Sequence, residues 1–269
     1  MPSTTEIAQQ FDTIEDTIAA FSKILLLAGH IQIVFNMISR LARLLNDFLM
    51  TSVTDNDSPP ENGEFIIVLD SQDRENEGDL IIAAESITAA QMAFLVRYTS
   101  GLICAPIPPP LATRLALPQM VAENADPKGT AYTITIDASD DSVSTGISAE
   151  DRALTCRTLA SPSARIDSFR RPGHIIPLQA RAGGVRERKG HTEAAVDFCR
   201  LAGKAPVGVI AELVEGGEVV EGVAEIRGNN GMMRRDGCLR FGKQWGIKVC
   251  TIEDLVEYLE RTEGGKNGH

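Results

Sequence analysis

The chain has 269 residues, 26 of them basic and 37 acidic, for a net charge of −11, with an isoelectric point near 4.9. That balance argues against a polyanion-binding surface, because nucleic-acid binders carry a basic stripe, so nucleic acid is not an expected partner. The length suffices for one large domain or two small ones with a substantial core. Cys104, Cys156, Cys199, Cys238 and Cys250 are odd in number, widely spaced and never in a C-x-x-C pair. They suggest neither a disulfide framework nor a zinc knuckle, and fit a reduced cytosol. The polar first ten residues lack the basic start and apolar core of a secretion signal, and the expected location is cytoplasmic.

Residues 22–61 differ from the rest. Residues 24–35 are strongly apolar, and Phe35, Ile38, Leu41, Leu45 and Phe48 recur at helical spacing between Arg40, Arg43 and Asp47, which predicts an amphipathic helix. The charge-free run 24–39 is shorter than a membrane span and contains His30, Gln32 and Asn36, so no membrane crossing is expected. Residues 51–61, TSVTDNDSPPE, read as a linker.

From Gly63 onward, short apolar or β-branched runs alternate with capped helices. Strands are predicted at 65–69, 80–84, 102–106, 132–136, 207–211 and 247–250. Thr88 with Gln91 forms a capping box for a helix over 89–98, Ser148 caps one over 149–160, and Thr192 caps one over 193–202, ended by Gly203. The alternation predicts an α+β domain, a mixed sheet packed between helices. Residues 265–269 read as a disordered tail.

Three groups of residues suggest chemistry. In DRENEGD, residues 73–79, the carboxylates Asp73, Glu75, Glu77 and Asp79 suffice to hold a hard divalent cation and leave one to move a proton, while Arg74 suits an anionic substrate group. The plainer alternative is a solvated acidic turn. In RAGGVRERKGHT, residues 181–192, glycines and a helix start combine with Arg188, Lys189 and Thr192 as a phosphate cradle, with His191 at its lip. A basic surface loop is the alternative there. Of the four histidines, His30 lies in the odd segment and His269 is the last residue, which leaves His174 and His191, each after a glycine in an Arg/Gly-rich loop. Glu212, ending an apolar run, either faces solvent or points into a cleft for proton transfer.

DRENEGDLIIAAE, TGISAEDRALT, RRPGHIIPL, RKGHTEAAVDFCRLAG and GIKVCTIEDLVEYLERTEG, in this order, resemble the 3,4-dihydroxy-2-butanone 4-phosphate synthase family, in its monofunctional fungal form. The likeness covers roughly residues 11–21 and 62–264. It implies the family's three-layer domain and a lyase of riboflavin biosynthesis that converts D-ribulose 5-phosphate to 3,4-dihydroxy-2-butanone 4-phosphate and formate. It also implies Mg2+ or Mn2+, as one or two ions, and a homodimer. By motif position, Glu75 and His191 are expected metal ligands, and Arg74, Asp79 and the run Arg188, Lys189, Gly190, His191 and Thr192 would hold substrate. His174 and Glu212 would be the essential catalytic pair. Removal of the C3 proton gives an enediolate that a divalent cation stabilises, with Glu212 or Asp79 as base and His174 shuttling protons.

Thr145, Ser148 and Arg152 are further expected at the phosphate pocket. Cys104 is either beside the site or simply a small buried thiol, and Tyr132 either closes over substrate or packs in its strand.

Two departures stand out: Ser71 occupies a position where members often carry aspartate, and residues 22–61 interrupt the junction between the N-terminal helix, residues 1–21, and the catalytic domain, residues 62–264. The insert is expected to be translated intervening sequence or a gene-model error. The competing classes are a catalytically silent sugar-phosphate-binding protein and a nucleotide- or RNA-binding module on a related fold.

Overall fold

A computed structural model describes residues 11–22 and 65–264; the predicted amphipathic helix, the linker and the tail fall outside them. A seven-stranded mixed sheet forms the middle layer. In chain order its strands are β1 (Ile66–Leu69), β2 (Gly78–Ala83), β3 (Cys104–Ile107), β4 (Ile136–Ala138), β5 (Phe169–Gln179), β6 (Gly208–Glu212) and β9 (Lys248–Thr251), arranged β4-β5-β3-β6-β2-β1-β9. The pairs β1/β9 and β3/β5 are parallel, and the others are antiparallel. A separate hairpin joins β7 (Glu218–Val219) to β8 (Ile226–Arg227).

The central strands β1, β2, β3 and β6 are almost uninterruptedly apolar because both faces are covered. Ile67, Leu69, Leu80, Ile82, Ala105 and Val209 point to one face, against α2 (Ala89–Tyr98), α3 (Pro109–Arg114), α4 (Ala149–Ala160) and α6 (Arg235–Trp245). Ile66, Val68, Ile81, Ala83 and Ile210 point to the other, against α1 (Ile14–Ser22), α5 (His191–Leu201) and α7 (Ile252–Glu263). Each fully buried Ile or Leu contributes about 1.5–3 kcal/mol, so both layers are held by the period-two alternation of a few short strands.

The capping box of Thr88 and Gln91 is present, and Ser148 Oγ accepts the Asp151 N–H that starts α4. Thr192, in contrast, is not a cap. The helix begins at His191 after Gly190, which places His191 and Thr192 inside its first turn. The predicted strand over 132–136 shrinks to single bridges at Tyr132 and Thr133, and the strand proper is Ile136–Ala138. The largest correction is β5: RRPGHIIPL, expected as a loop, lies inside an eleven-residue strand. Its Pro and Gly sit where β5 bulges away from β4, between the Asp137–Arg170 and Ile136–Ile175 pairs. Among the described residues no helix is long and apolar enough to cross a membrane.

Candidate active site

Antiparallel pairing of β2 with β6 sets Asp79 directly opposite Glu212, and β3 begins beside them at Cys104, opposite Ile210. The ends of three central strands therefore meet side by side. A cavity of about 280 Å3 opens there, lined by Arg74, Glu75, Asp79, Cys104, Tyr132, Arg188, His191, Thr192 and Glu212, with Asp126 and Thr130 from the loop that precedes β4.

The loop between β1 and β2 is shaped by Asp70, a residue the sequence reading passed over. Its Oδ2 accepts from Arg74 Nη1 at 2.7 Å and from the Glu75 N–H at 3.2 Å, while Oδ1 accepts the Glu77 N–H at 2.9 Å. Arg74 is thereby aimed across to Glu75, with which it also pairs. Donor atoms of Asp70, Glu75 and His191 lie within 4.8 Å of one another. Asp73 is exposed and lines nothing in the cavity, and Glu77 faces Arg234 at 3.4 Å.

His191 is buried in the first turn of α5. Its Nε2 stands 3.1 Å from the Val68 carbonyl, which only accepts, so Nε2 carries the proton and Nδ1 keeps its lone pair. Burial also holds the imidazole well below its ordinary pKa, so the ring is neutral and able to ligate. Asp79 Oδ1 is 3.3 Å from Nδ1 and has no hydrogen-bond partner. Burial, then the nearby Glu212 and Glu75 carboxylates, push the Asp79 carboxyl well above its usual range.

Glu212 is half-buried and accepts from Ser100 Oγ at 2.8 Å. Burial first, and then the Glu212 carboxylate, push Tyr132 up to about 12, so it remains a phenol. Burial, then the Glu212 and Asp79 carboxylates, push the Cys104 thiol up as well. Cys104 lines the cavity as a neutral thiol.

His174, Thr145, Ser148, Arg152, Lys189 and Gly190 do not line this cavity. Lys189 is exposed, and Gly190 is the cap position of α5. Ser148 is spent on capping α4, and Arg152 is buried in that helix. Arg188 reaches the cavity, but Nη1 donates to Glu193 at 2.6 Å and its other nitrogens donate to the Lys128 carbonyl and Thr130 Oγ1. The structure thus gathers the acidic loop, the start of α5 and the end of β6, and leaves the His174 group on β4, β5 and α4 apart from them.

The sequence profile of the 3,4-dihydroxy-2-butanone 4-phosphate synthase family matches residues 59–258. The chain belongs to that family. It is 62% identical over 204 residues to the 3,4-dihydroxy-2-butanone 4-phosphate synthase of Pyricularia oryzae, covering 76% of this chain and 87% of that protein. It is 49% identical over 226 residues to the Schizosaccharomyces pombe enzyme, covering 83% and 98%. A crystal structure of a 3,4-dihydroxy-2-butanone 4-phosphate synthase in complex with two magnesium ions superposes with a TM-score of 0.78 at 52% identity, covering 94% of this chain and 99% of that one. The family reaction, conversion of D-ribulose 5-phosphate to 3,4-dihydroxy-2-butanone 4-phosphate and formate in riboflavin biosynthesis, is the activity of this chain. The fold class expected from the sequence is the one found.

Proposed function

We propose that the cavity between β2, β6 and α5 performs this reaction with a divalent cation held by Glu75 and His191. The observation that carries the reading is convergence: carboxylates, a neutral imidazole, an arginine and a helix start, drawn from four separate stretches of chain, line one cavity. The donor set of Asp70, Glu75 and His191 is oxygen-rich with one imidazole, which suits Mg2+, with Mn2+ the nearest chemical substitute, and the orphaned Asp79 Oδ1 beside His191 marks a place for a further polar partner. When bound, such an ion supplies positive charge for the two adjacent oxygens of an enediolate.

The protein's own groups do the remainder. Ser100 holds one oxygen of Glu212, and Glu212 takes the C3 proton. Asp79 and Arg74 hold the sugar hydroxyls, and Tyr132 covers the substrate. The terminal phosphate, which does not react, binds at the first turn of α5 beside Thr192, where main-chain N–H groups have no helical partner. Its role is to fix the position of C3. His174 serves proton transfer from a second copy of the chain, since it lines no part of its own cavity, and this reading makes the protein a homodimer. The five described thiols, all free and buried, fit the reducing cytoplasm.

The test is formate release from D-ribulose 5-phosphate in the presence of Mg2+. Glu75→Gln is expected to lower turnover by roughly 10³-fold or more while leaving the melting temperature and far-UV circular dichroism unchanged. Normal turnover in that variant would refute the ligand assignment, and absence of formate release by the native chain would refute the mechanism.

A further inference from the structure

The bulge in β5 removes Gly173 and His174 from the strand ladder. Side chains at the start of β4 supply what the ladder does not: Thr135 Oγ1 accepts the Gly173 N–H at 2.9 Å, and Asp137 Oδ1 accepts the His174 N–H at 2.8 Å. The second Asp137 oxygen lies 2.8 Å from His174 Nδ1. One carboxylate therefore holds both the main chain and the ring of the same histidine.

The surroundings are built for that contact. The Asp137 side chain is 9% exposed and the His174 side chain 39%, so the buried edge of the ring meets the carboxylate and another part of it reaches solvent. Gly146, at φ 88°, closes over the pair, and a Cβ there would sit 2.0 Å from Asp137 Oδ2 and 2.8 Å from His174 Nδ1. Asp151, at the start of α4, pins the turn by accepting the Gly146 N–H at 3.0 Å and Ser144 Oγ at 2.9 Å. Among the described residues, His174 Nε2 has no hydrogen-bond partner.

We propose that Asp137 is the positioning residue that sets the tautomer of His174. A carboxylate accepts and does not donate, so Nδ1 carries the ring proton and Nε2 presents a lone pair. The main-chain bond through Oδ1 keeps the ring from turning away. Nε2 is then the atom that takes and returns protons during turnover. This inference rests on the reading of His174 as a catalytic residue. A purely structural Asp137 would only satisfy the bulge, and the two roles separate experimentally.

In mildly alkaline buffer, nitrogen-15 NMR of the imidazole in the intact protein should show His174 protonated at Nδ1. Asp137→Asn keeps an oxygen for the His174 N–H but turns an amide N–H group toward Nδ1, which moves the ring proton to Nε2. The variant is expected to lose roughly 10²- to 10⁴-fold in kcat while KM for D-ribulose 5-phosphate stays within about threefold. A native ring protonated at Nε2, or an Asp137→Asn variant that keeps its kcat, would overturn the proposal. Should the variant fail to fold, the native spectrum alone decides. If His174→Ala keeps full activity, the catalytic reading of His174 fails, whereas the spectrum still reports whether Asp137 sets the tautomer.

Discussion

Arg188 illustrates how a residue changes meaning once its neighbours are known. In the sequence it is a free cation beside a phosphate cradle. In the structure Nη1 donates to Glu193 at 2.6 Å, Nε and Nη2 donate to the Lys128 carbonyl at 3.3 and 3.2 Å, and Nη2 also reaches Thr130 Oγ1 at 3.2 Å. Lys128 in turn donates through Nζ to the Arg74 carbonyl. The guanidinium thus ties down the loop that walls the cavity and has few donors left for a phosphate. Glu193, 1% exposed, locks it there with one oxygen while the other accepts the Arg181 N–H at 2.9 Å. A charge-assisted hydrogen bond of this kind contributes about 1.5–3 kcal/mol. Glu193→Gln should therefore raise KM for the sugar phosphate by about tenfold or more, with a smaller change in kcat, in steady-state assays. An unchanged KM would show that the wall does not depend on this pair. Asp70, Asp137 and Glu193 were illegible in the sequence for one reason. Each is an acid whose partners are main-chain N–H groups and side chains fixed only by the fold, and nothing local separates it from a solvated carboxylate.

Elements were legible where a local signal and a tertiary demand agree. The helix over 89–98 carries its own capping box, and that over 149–160 its Ser148 cap, and both have the bounds expected of them. The central strands announced themselves as apolar runs. β5 did not, because Arg170, Arg171, Pro172, Gly173 and His174 carry loop chemistry, and the strand exists only through its neighbours β3 and β4. α6 was hidden by Gly237 and Gly242, which are needed for close packing: a Cβ at Gly242 would meet Val249 at 2.4 Å. The same tightness links the two elements that carry His191 and Glu212. At Gly208, where β6 starts, a Cβ would lie 2.8 Å from the Ala195 Cβ of α5. Gly208→Ala is expected to cost about 1–3 kcal/mol by overpacking, read as a lower urea midpoint at constant slope. Turnover should fall with it, since the contact spaces the helix start from the strand end. A variant as stable as the native chain would show that α5 is free to shift on the sheet.

At the scale of the whole molecule, a mixed sheet packed between helices was legible in the alternation of apolar runs with capped helices, and its three layers through the family resemblance. The division of the site was not, since sequence motifs show which residues belong together chemically and not which copy of the chain supplies them. One cavity gathers Glu75, Asp79, His191 and Glu212, while His174 stands with Asp137 and Gly146 on the β4–β5 side of the sheet. If the proposed homodimer joins each cavity to the partner's His174, the two defects can complement. Glu75→Gln and His174→Ala chains would each be inactive alone. Mixed, partially dissociated and reassociated in equal amounts, half the dimers pair one defect with the other, and each such dimer holds one site with both an intact Glu75 and an intact His174. Activity should then return to about one quarter of the native level, as follows from random pairing in a two-fold assembly. Continued inactivity of a mixture shown by mass to contain hybrid dimers would mean that His174 serves the cavity of its own chain, and the bulge of β5 would then have to move toward Glu212 during turnover.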